Sequence, residues 1–382
     1  MGPTITTENV MSLDGVTVFV DAGPFSYTRL TGLSRYTAQL TLAMAAQAPI
    51  RFFCEGQEIH PPTDLDWSQD QDLARWSRRV WRGRRTPLGT IPDRAIGLYC
   101  TLRPLDRIFP FEVSVLHDFS PYTVPSTHLE STRKMFGGFF ARALPVSDLA
   151  VAVSESTKAD AAWLSPMDPS RIVVAPSGPS LCVGKHGHSR AVKRRRDVGL
   201  VVSTLEPRKN ARFLFDWFLN SDAVADDSEL WWVGPTGWLS SRRELKRLQK
   251  PGSRRRIKFL GVVDDARLCR LYRTAAYSAY PSLYEGFGFP VLDSLRHQTP
   301  VLAAQNSSIR EFDSTGLFFF DPLDQASLDQ AYGKYHQAIG QNIAQAPLEQ
   351  DYSWRNVARV ILDEHRRHFD STGANQVTTR AA

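Results

Sequence analysis

The stretch that decides the fold runs from Tyr280 to Pro290, YPSLYEGFGFP, and continues as VLDSL. The small and aromatic residues before it, AAYSAY, predict a buried strand, and the residues from Pro290 onward predict a helix. Proline suits the first helical position, because its missing N–H is not needed there. Gly286 and Gly288 permit close backbone approach in the intervening loop. The helix N-terminus then offers unpaired N–H groups to an anion such as a diphosphate.

Two carboxylates flank this glycine-rich loop: Glu285 lies before the predicted helix and Asp293 lies in its first turn. Because carboxylates repel phosphates, we expect them to accept hydrogen bonds from the hydroxyl groups of a sugar and a ribose. The alternative interpretation is a simple turn whose acids favour a helix N-terminus. The whole run, together with its spacing, favours the ligand site.

Length and composition indicate a globular protein of two domains, since 382 residues exceed one ordinary core. A hydrophobic content of 42% and a charged content of 23% agree with this class. No apolar run is long enough to cross a bilayer, and the first residues do not have the pattern of a signal peptide. The four cysteines show no metal-ligand spacing. We therefore expect a cytoplasmic protein with reduced cysteines.

Strand candidates alternate with helical segments along both halves of the chain, which predicts two α/β domains with parallel sheets. The polar, basic segment from Cys182 to Asp197 is the predicted linker, and residues 60–71 are a predicted loop. A last helix is predicted from Trp354 to about His368, followed by a disordered tail. Open parallel sheets bind ligands beyond the carboxyl ends of their strands, so we expect a cleft between the domains. The strand candidates are VTVFV, RFFCE, IGLYC, FEVSVL, LAVAV, RIVV, VGLVV, LWWV, RIKFL, AAYSAY, VLAA and FFF.

The net charge of +6 favours an anionic partner. The segment Arg75–Arg85 interleaves two tryptophans with arginines, which suits either a helix lying on an anionic membrane or a solvated helix face. We expect the basic runs Lys193–Arg196 and Arg254–Arg256 to be solvated. The chain contains no recognisable nucleic-acid-binding module, so nucleic acid is not an expected partner.

A second chemical motif, STLEPRKN, spans Ser203 to Asn210 directly after the strand candidate VGLVV. Arg208 and Lys209 would lie at the carboxyl end of that strand, beside the predicted cleft. Arginine can bind two phosphate oxygens at once and lysine adds a point charge. Such a pair can hold a nucleotide diphosphate and neutralise it as it leaves, in place of a metal ion. The alternative is a surface turn with two solvated cations.

Several other chemistries lack their sequence patterns. No G-x-G-x-x-G follows a strand, no phosphate-binding P-loop pattern is present, and no serine has the flanking glycines of a nucleophile elbow. The triplets Asp64-Leu-Asp66 and Asp70-Gln-Asp72 match a D-x-D metal motif only formally, because no strand precedes them. We expect them to be solvated, and we predict no metal site.

The spacing of Glu285 and Asp293 resembles the E-x7-E signature of the retaining GT-B glycosyltransferases of family 4, although glutamate is usual at the second position. EPRKN, from Glu206, resembles a further motif of that family in order and position. Gly32-Leu-Ser-Arg-Tyr36 resembles its glycine-rich N-terminal loop, and His117-Asp118 resembles its His-Asp pair. The resemblance is strongest over residues 199–322 and weaker over residues 15–178.

This resemblance implies the GT-B fold, with two facing Rossmann-like domains and a cleft between them. Residues 1–185 would form the acceptor-side domain and residues 198–350 the nucleotide-sugar domain, with a helix at 351–370 returning to the first. The implied activity is a metal-independent, retaining transfer of a hexose, with mannose as the first choice, from a nucleoside-diphosphate sugar. The acceptor would be a glycan of a cell-surface polysaccharide, with a lipid-linked acceptor at the inner membrane face as one option. Two alternatives stay open: a non-catalytic sugar-nucleotide-binding subunit and a sugar-nucleotide epimerase.

The resemblance also assigns roles to individual residues. The leaving diphosphate would be stabilised by Arg208 and Lys209, and the reacting sugar would contact Glu285 and His117. Glu311, in SSIREF, would be structural or line the cleft, and Ser177 stands where asparagine is frequent. The remaining donor-binding residues would be Gly32, Glu206, Gly286, Phe287, Gly288 and Asp293. The acceptor-side residues would be Arg35, Tyr36 and Asp118.

Overall fold

The computed structural model describes residues 15–27, 30–67, 72–180, 194–195, 197–237, 254–341, 348 and 350–379. Within these residues the strands form two sheets, one of eight strands and one of six. The predicted linker therefore lies largely outside the described residues, as does Cys182. Cys54, Cys100 and Cys269 are buried free thiols.

The N-terminal domain is built on the eight-stranded sheet. Its strands are β1 Val18–Asp21, β2 Ile50–Cys54, β3 Gln57–His60, β4 Arg84–Pro87, β5 Ile96–Tyr99, β6 Phe111–Leu116, β7 Leu149–Ala152 and β8 Ile172–Val174. Its α-helices are α1 Gly32–Ala45, α2 Leu73–Trp81, α3 Ser120–Thr123, α4 Glu130–Gly138 and α5 Glu155–Leu164. The sheet order is β4-β3-β2-β1-β5-β6-β7-β8, with antiparallel pairing only at β2–β3 and β3–β4 among the described strands. The central strands β5 and β6 are buried throughout, as near-continuous apolar segments in a parallel sheet should be.

The two antiparallel strands β3 and β4 were not among the predicted strands. β2 and β3 form a hairpin whose two turn residues, Glu55 and Gly56, have φ of 51° and 74°. Positive φ at both central residues is typical of a two-residue hairpin turn, and glycine supplies one of them readily. β4 lies at the sheet edge and carries Arg84 and Arg85, whose charges discourage further strand pairing.

Helix α2 contains most of the arginine-rich segment, but its first tryptophan faces the core. Trp76 is 1% exposed, and its ring centroid lies 5.5 Å from that of Phe25 and 6.0 Å from that of Phe52. The carboxylate of Asp72 accepts hydrogen bonds from the first turn of the helix, so this acid of the D-x-D triplet is a cap. Trp76 therefore cannot insert into a membrane, and the solvent-facing surface of this helix consists largely of arginines.

The C-terminal domain is built on the six-stranded sheet, in which all described neighbours are parallel. Its strands are β9 Val198–Val202, β10 Glu229–Val233, β11 Arg256–Gly261, β12 Tyr277–Tyr280, β13 Val301–Ala304 and β14 Leu317–Phe320. Its described α-helices are α6 Ala211–Asn220, α7 Asp265–Thr274, α8 Phe289–Arg296 and α9 Gln325–Gly340, and helix α10 Trp354–Thr379 follows them. The order is β11-β10-β9-β12-β13-β14, so β9 lies between β10 and β12. The loops after β9 and β12 therefore leave the sheet side by side.

The last helix, α10, packs on the N-terminal domain. The ring of Trp354 meets that of Tyr36 edge-on at 4.9 Å between centroids, and His365 Nε2 donates to the carbonyl of Arg94 at 3.0 Å. The helix continues to Thr379, beyond its predicted end. Nothing in its sequence stops it earlier, because it contains no proline and a single glycine, Gly373.

Two arginines from the runs that we expected to be solvated bind backbone carbonyls instead. Arg194 donates to the carbonyl of Ala275, at 2.9 Å, and to two carbonyls just after α8. Arg255 donates to the carbonyls of Phe218 and Val224, at 3.3 Å and 2.6 Å. Carbonyls at helix C-termini lack partners within the helix, so they are ready acceptors for nearby arginines.

A fully buried ion pair supports the N-terminal sheet. Arg103 Nη2 lies 2.5 Å from Glu112 Oε2, and both side chains are completely buried.

We expect Arg103→Met to lower the free energy of unfolding by about 3–5 kcal/mol, because Glu112 is left as an uncompensated buried charge. The matched control is Arg107→Met, which removes a pair with Asp148 in which the arginine is 41% exposed. It should cost about 0–1 kcal/mol. Equal losses in denaturant titrations of the two variants would contradict this assignment.

Candidate functional site

The loop between β12 and α8 follows the predicted strand–loop–helix order. Gly288 precedes the helix with φ of 97°, a conformation that side chains with a Cβ rarely adopt. The helix begins at Phe289, so Pro290 occupies its second position instead of the predicted first. Glu285 is held in the loop at both backbone groups: its N–H donates to Ser307 Oγ at 2.9 Å, and its carbonyl accepts from Ser308 Oγ at 2.9 Å.

The predicted cations of the β9 loop bind Glu285 directly. Lys209 Nζ lies 2.5 Å from Glu285 Oε1, and Arg208 Nη1 lies 3.1 Å from Glu285 Oε2. The other terminal nitrogen of Arg208 pairs with Glu206 at 3.0 Å. The backbone joins the two loops as well, because the N–H of Leu283 donates to the carbonyl of Arg208 at 2.8 Å. The structure therefore brings together the two sequence motifs on which the predicted site rests.

The electrostatics of this cluster keep Glu285 ionised. Burial opposes its ionisation, but Lys209 and Arg208 outweigh burial and lower the pKa of Glu285 to about 2. For Arg208, burial acts to lower the pKa, and the carboxylates around it, Glu285 first, raise it overall. Burial raises the pKa of the Glu206 carboxyl. Arg208 Nε is a buried donor with no acceptor among the described residues.

His117 approaches this cluster from the N-terminal domain, at the end of β6. Its Nε2 lies 2.8 Å from the carbonyl of Cys100 and must donate to it, which leaves Nδ1 as an acceptor on the neutral ring. Burial lowers the pKa of His117, so the ring is neutral at pH 7. The carboxylate of Asp118 accepts from the N–H and the hydroxyl of Ser120, at 2.9 Å and 2.7 Å.

Gly286 is the point at which the two domains touch beside the site. A Cβ at this position would lie 1.6 Å from the carbonyl oxygen of His117, so no residue with a side chain fits. The carbonyl of Gly286 accepts from the hydroxyls of Ser154 and Thr157, at 2.6 Å and 3.1 Å. Both donors belong to the N-terminal domain.

A cavity of about 540 Å³ lies between the domains, a volume typical of small-molecule sites. Four residues assigned by the resemblance are not among its lining residues: Glu206, Asp293, Arg35 and Tyr36. The assigned residues that do line it are Gly32, His117, Asp118, Arg208, Lys209, Glu285, Gly286, Phe287 and Gly288.

For three of those four residues, contacts elsewhere in the structure explain why they do not line the cavity. Arg35 forms a two-contact ion pair with Asp265 of the other domain, at 2.5 Å and 2.9 Å. Tyr36 is fully buried and packs edge-on against His117, at 4.7 Å between ring centroids. Asp293 is 2% exposed, and its carboxylate accepts from the N–H of Ser180, at 3.1 Å, and from its hydroxyl.

An apolar wall of the cavity was missing from the sequence-based site. The sequence signal is the apolar run MFGGFF at residues 135–140. One turn of π-helix, Phe139–Ala143, follows α4 there, and such turns are frequent at functional sites. The wall consists of Leu102, Met135, Phe136, Phe139 and Phe140.

The described part of the chain lacks two features. Its His, Cys, Asp and Glu side chains form no group of three or more that could bind a metal ion. Its helices include none with the length and apolar character that crossing a bilayer requires. Asp64 of the first D-x-D triplet forms an ion pair with Arg79 at 2.5 Å.

Comparison with known proteins finds similarities to this chain in both sequence and fold. Residues 196–336 match the family model for glycosyl transferases group 1. O-antigen chain mannosyltransferase B of Escherichia coli is 25% identical over 88% of this chain and 91% of its own length. Among solved structures, sucrose-phosphate synthase of Thermosynechococcus elongatus superposes with a TM-score of 0.60 at 17% identity, over 93% of this chain and 99% of its own. Anabaena Alr3699/HepE, in complex with UDP and glucose, gives 0.57 at 13% identity, over 94% and 99%. These superpositions confirm the predicted fold.

The pKa of Glu285 predicts how this cluster contributes to stability. Its pKa in the folded protein, about 2, lies below the usual 4.5. The stabilisation by the ionised carboxylate is therefore complete above pH 4.5 and is lost as the pH falls toward 2. The free energy of unfolding of the wild type minus that of Glu285→Gln should therefore shrink as the pH falls below 5, by about 3 kcal/mol in all.

Urea titrations between pH 7 and pH 3 should record about 2 kcal/mol of this loss, because the rest occurs below pH 3. Glu130→Gln is the matched control, because Glu130 forms only an exposed pair with Lys134 on α4. Its effect should stay small at every pH. A difference for Glu285→Gln that is constant over this pH range would contradict the electrostatic assignment.

Proposed function

We propose that this chain is a glycosyltransferase that moves a mannosyl residue from a nucleoside-diphosphate sugar to a glycan of a cell-surface polysaccharide. It has the GT-B fold, and its residues 196–336 match the model for glycosyl transferases group 1. The reaction proceeds with retention of the anomeric configuration. GDP-mannose is the first donor to test. The choice of mannose is supported by the Escherichia coli relative, whose similarity extends along both domains.

The observation that carries this proposal is the buried cluster of Arg208, Lys209 and Glu285 on the cavity wall. Arg208 and Lys209 both line the cavity, and Lys209 has further N–H donors beyond the one directed at Glu285. These donors suit the oxygens of a diphosphate. Because the cations are held by carboxylates before the ligand binds, little reorganisation is needed when negative charge develops.

The reaction itself requires no enzymic nucleophile. The bond between the sugar C1 and the diphosphate oxygen breaks, and its electron pair stays on the phosphate, where Arg208 and Lys209 stabilise the charge. The acceptor hydroxyl forms its bond to C1 on the same face, and its proton passes to the leaving phosphate oxygen. Glu285 accepts a hydrogen bond from a hydroxyl of the sugar. His117 Nδ1 accepts a hydrogen bond from a hydroxyl of the sugar or of the acceptor. The two cations supply the charge neutralisation, so the proposal needs no metal.

In this proposal Asp293 completes the donor site, because its carboxylate accepts hydrogen bonds from the ribose hydroxyls. Ser180 donates to this carboxylate through both its N–H and its hydroxyl. The tether to Ser180 fixes the carboxylate in place.

We assign the acceptor to the N-terminal side of the cavity, where the apolar wall would cover the non-polar face of a sugar or a lipid carrier. We also propose a peripheral contact with an anionic membrane at the inner face of the plasma membrane. Arg75, Arg78 and Arg82 are exposed on and just after α2 and would make it. Since Trp76 is buried, this contact would be electrostatic and would weaken as salt is raised.

A panel of nucleotide sugars tests the class of activity. The purified protein is incubated with each sugar, with and without a lipid-linked glycan acceptor, and release of the nucleoside diphosphate is measured. Release that depends on the acceptor is the expected result. Binding without turnover would indicate a non-catalytic subunit, and conversion without acceptor would indicate an epimerase.

Lys209→Ala tests the phosphate-binding role. We expect kcat to fall by about 10²–10³, because one charge that stabilises the leaving diphosphate is removed. Lys258→Ala is the matched control, since Lys258 forms an ion pair with Glu229 at 2.7 Å, outside the cavity lining. Circular dichroism checks that both variants fold. Wild-type turnover by the Lys209 variant would rule out this role.

Substitutions of Asp293 test the ribose contact. Asp293→Asn should weaken donor binding more than Asp293→Glu does, because only the second retains the charged acceptor. Isothermal titration of the nucleoside diphosphate measures both affinities. Equal losses of affinity in the two variants would remove the ribose contact from the proposal.

A further inference from the structure

Helix α5 of the N-terminal domain contacts the C-terminal domain on both sides of Glu285. On one side, the hydroxyl of Tyr284 donates to the carboxylate of Asp160 on α5. On the other side, the carbonyl of Gly286 accepts from Ser154, the cap residue of α5, and from Thr157 in its first turn. The residues before and after Glu285 are thus both bonded to one helix of the opposite domain.

Glu311 adds a third contact at the start of the same helix. Its carboxylate accepts from the N–H of Glu155 at 2.9 Å and from the N–H of Ser156 at 2.8 Å. These N–H groups have no partner within a helix, and a carboxylate also interacts favourably with the helix dipole. Glu311 ends the short helix Ser307–Glu311, whose serines hold the backbone of Glu285.

We propose that α5 is the docking element that orients Glu285 when the domains close, with Asp160 and Glu311 as positioning residues for the transfer step. This inference rests on the proposed function. Every contact of α5 described above is made to the backbone or side chains that frame Glu285, and none is made to Arg208 or Lys209. Docking of the helix therefore sets the position of the carboxylate relative to His117, which belongs to the same domain as α5.

The two steps of the reaction should depend on this docking differently. The cations that bind the diphosphate belong to the C-terminal domain, so the donor can bind there before the domains close. Transfer also needs His117 and the acceptor, which belong to the N-terminal side. Weakening the α5 contacts should therefore lower kcat and leave the dissociation constant of the donor nearly unchanged.

Tyr284→Phe is the sharpest test, because it removes only the hydroxyl that donates to Asp160. We expect kcat to fall about tenfold, the cost of one hydrogen bond to a charged group, with the donor dissociation constant within about twofold of wild type. The matched control is Tyr335→Phe, which removes a hydroxyl that donates to the carbonyl of Ala276 at 3.3 Å inside the C-terminal core. It should keep wild-type kcat. Combining Tyr284→Phe with Asp160→Ala should add little to the effect of either change.

Hydrogen exchange gives a readout that does not depend on transfer. In Glu311→Ala, the amides of Glu155 and Ser156 should exchange faster, and kcat should fall as in Tyr284→Phe. Asp168→Ala is the matched control: it removes a carboxylate that accepts from the amide of Ser170 within the N-terminal domain. It should affect that amide and leave kcat unchanged.

The outcomes separate the two proposals. Unchanged exchange at Glu155 and Ser156 in Glu311→Ala, or wild-type kcat in Tyr284→Phe, would overturn the docking role of α5. A lowered donor affinity with unchanged kcat would also overturn it. Faster exchange in a protein that transfers no sugar would support the docking and refute the proposed function instead.

Discussion

The ion pairs of Glu285 with Lys209 and Arg208 are the interaction on which the site depends. Three charged side chains share a mostly buried volume, where any one of them alone would be costly. They meet because β9 and β12 are neighbours in the sheet, so that the loops after these strands lie side by side. The two cations lower the pKa of Glu285 and so keep it ionised. Arg208 Nε has no hydrogen-bond acceptor among the described residues. The proposed donor site, with cations for the diphosphate and a carboxylate for a sugar hydroxyl, rests on this arrangement.

The N-terminal domain completes the site through one contact that tolerates no side chain. Gly286 approaches the carbonyl of His117 so closely that a Cβ cannot be placed there. His117 and the cations of the other domain thereby line the same cavity. The hydroxyls of Ser154 and Thr157 satisfy the carbonyl of Gly286 at this close approach.

The sequence predicted the two motifs and their meeting point, because Glu285, Arg208 and Lys209 follow strands whose apolar runs are easily recognised. It did not predict the hairpin strand β3, whose turn signal is only Glu55-Gly56, or the burial of Trp76. The surroundings of Arg35, Tyr36 and Asp293 were also missed. Their partners, such as Asp265 and Ser180, lie far away in sequence. Neither local propensity nor residue spacing carries information on contacts between domains.

The central claim is that the cations of the β9 loop bind the diphosphate of the donor. A crystal structure of the protein with a bound nucleoside diphosphate tests it most directly. The account predicts the terminal phosphate within about 3 Å of Lys209 Nζ and of the guanidinium of Arg208. A diphosphate bound in the cleft away from both cations, with the pairs to Glu285 undisturbed, would contradict the account.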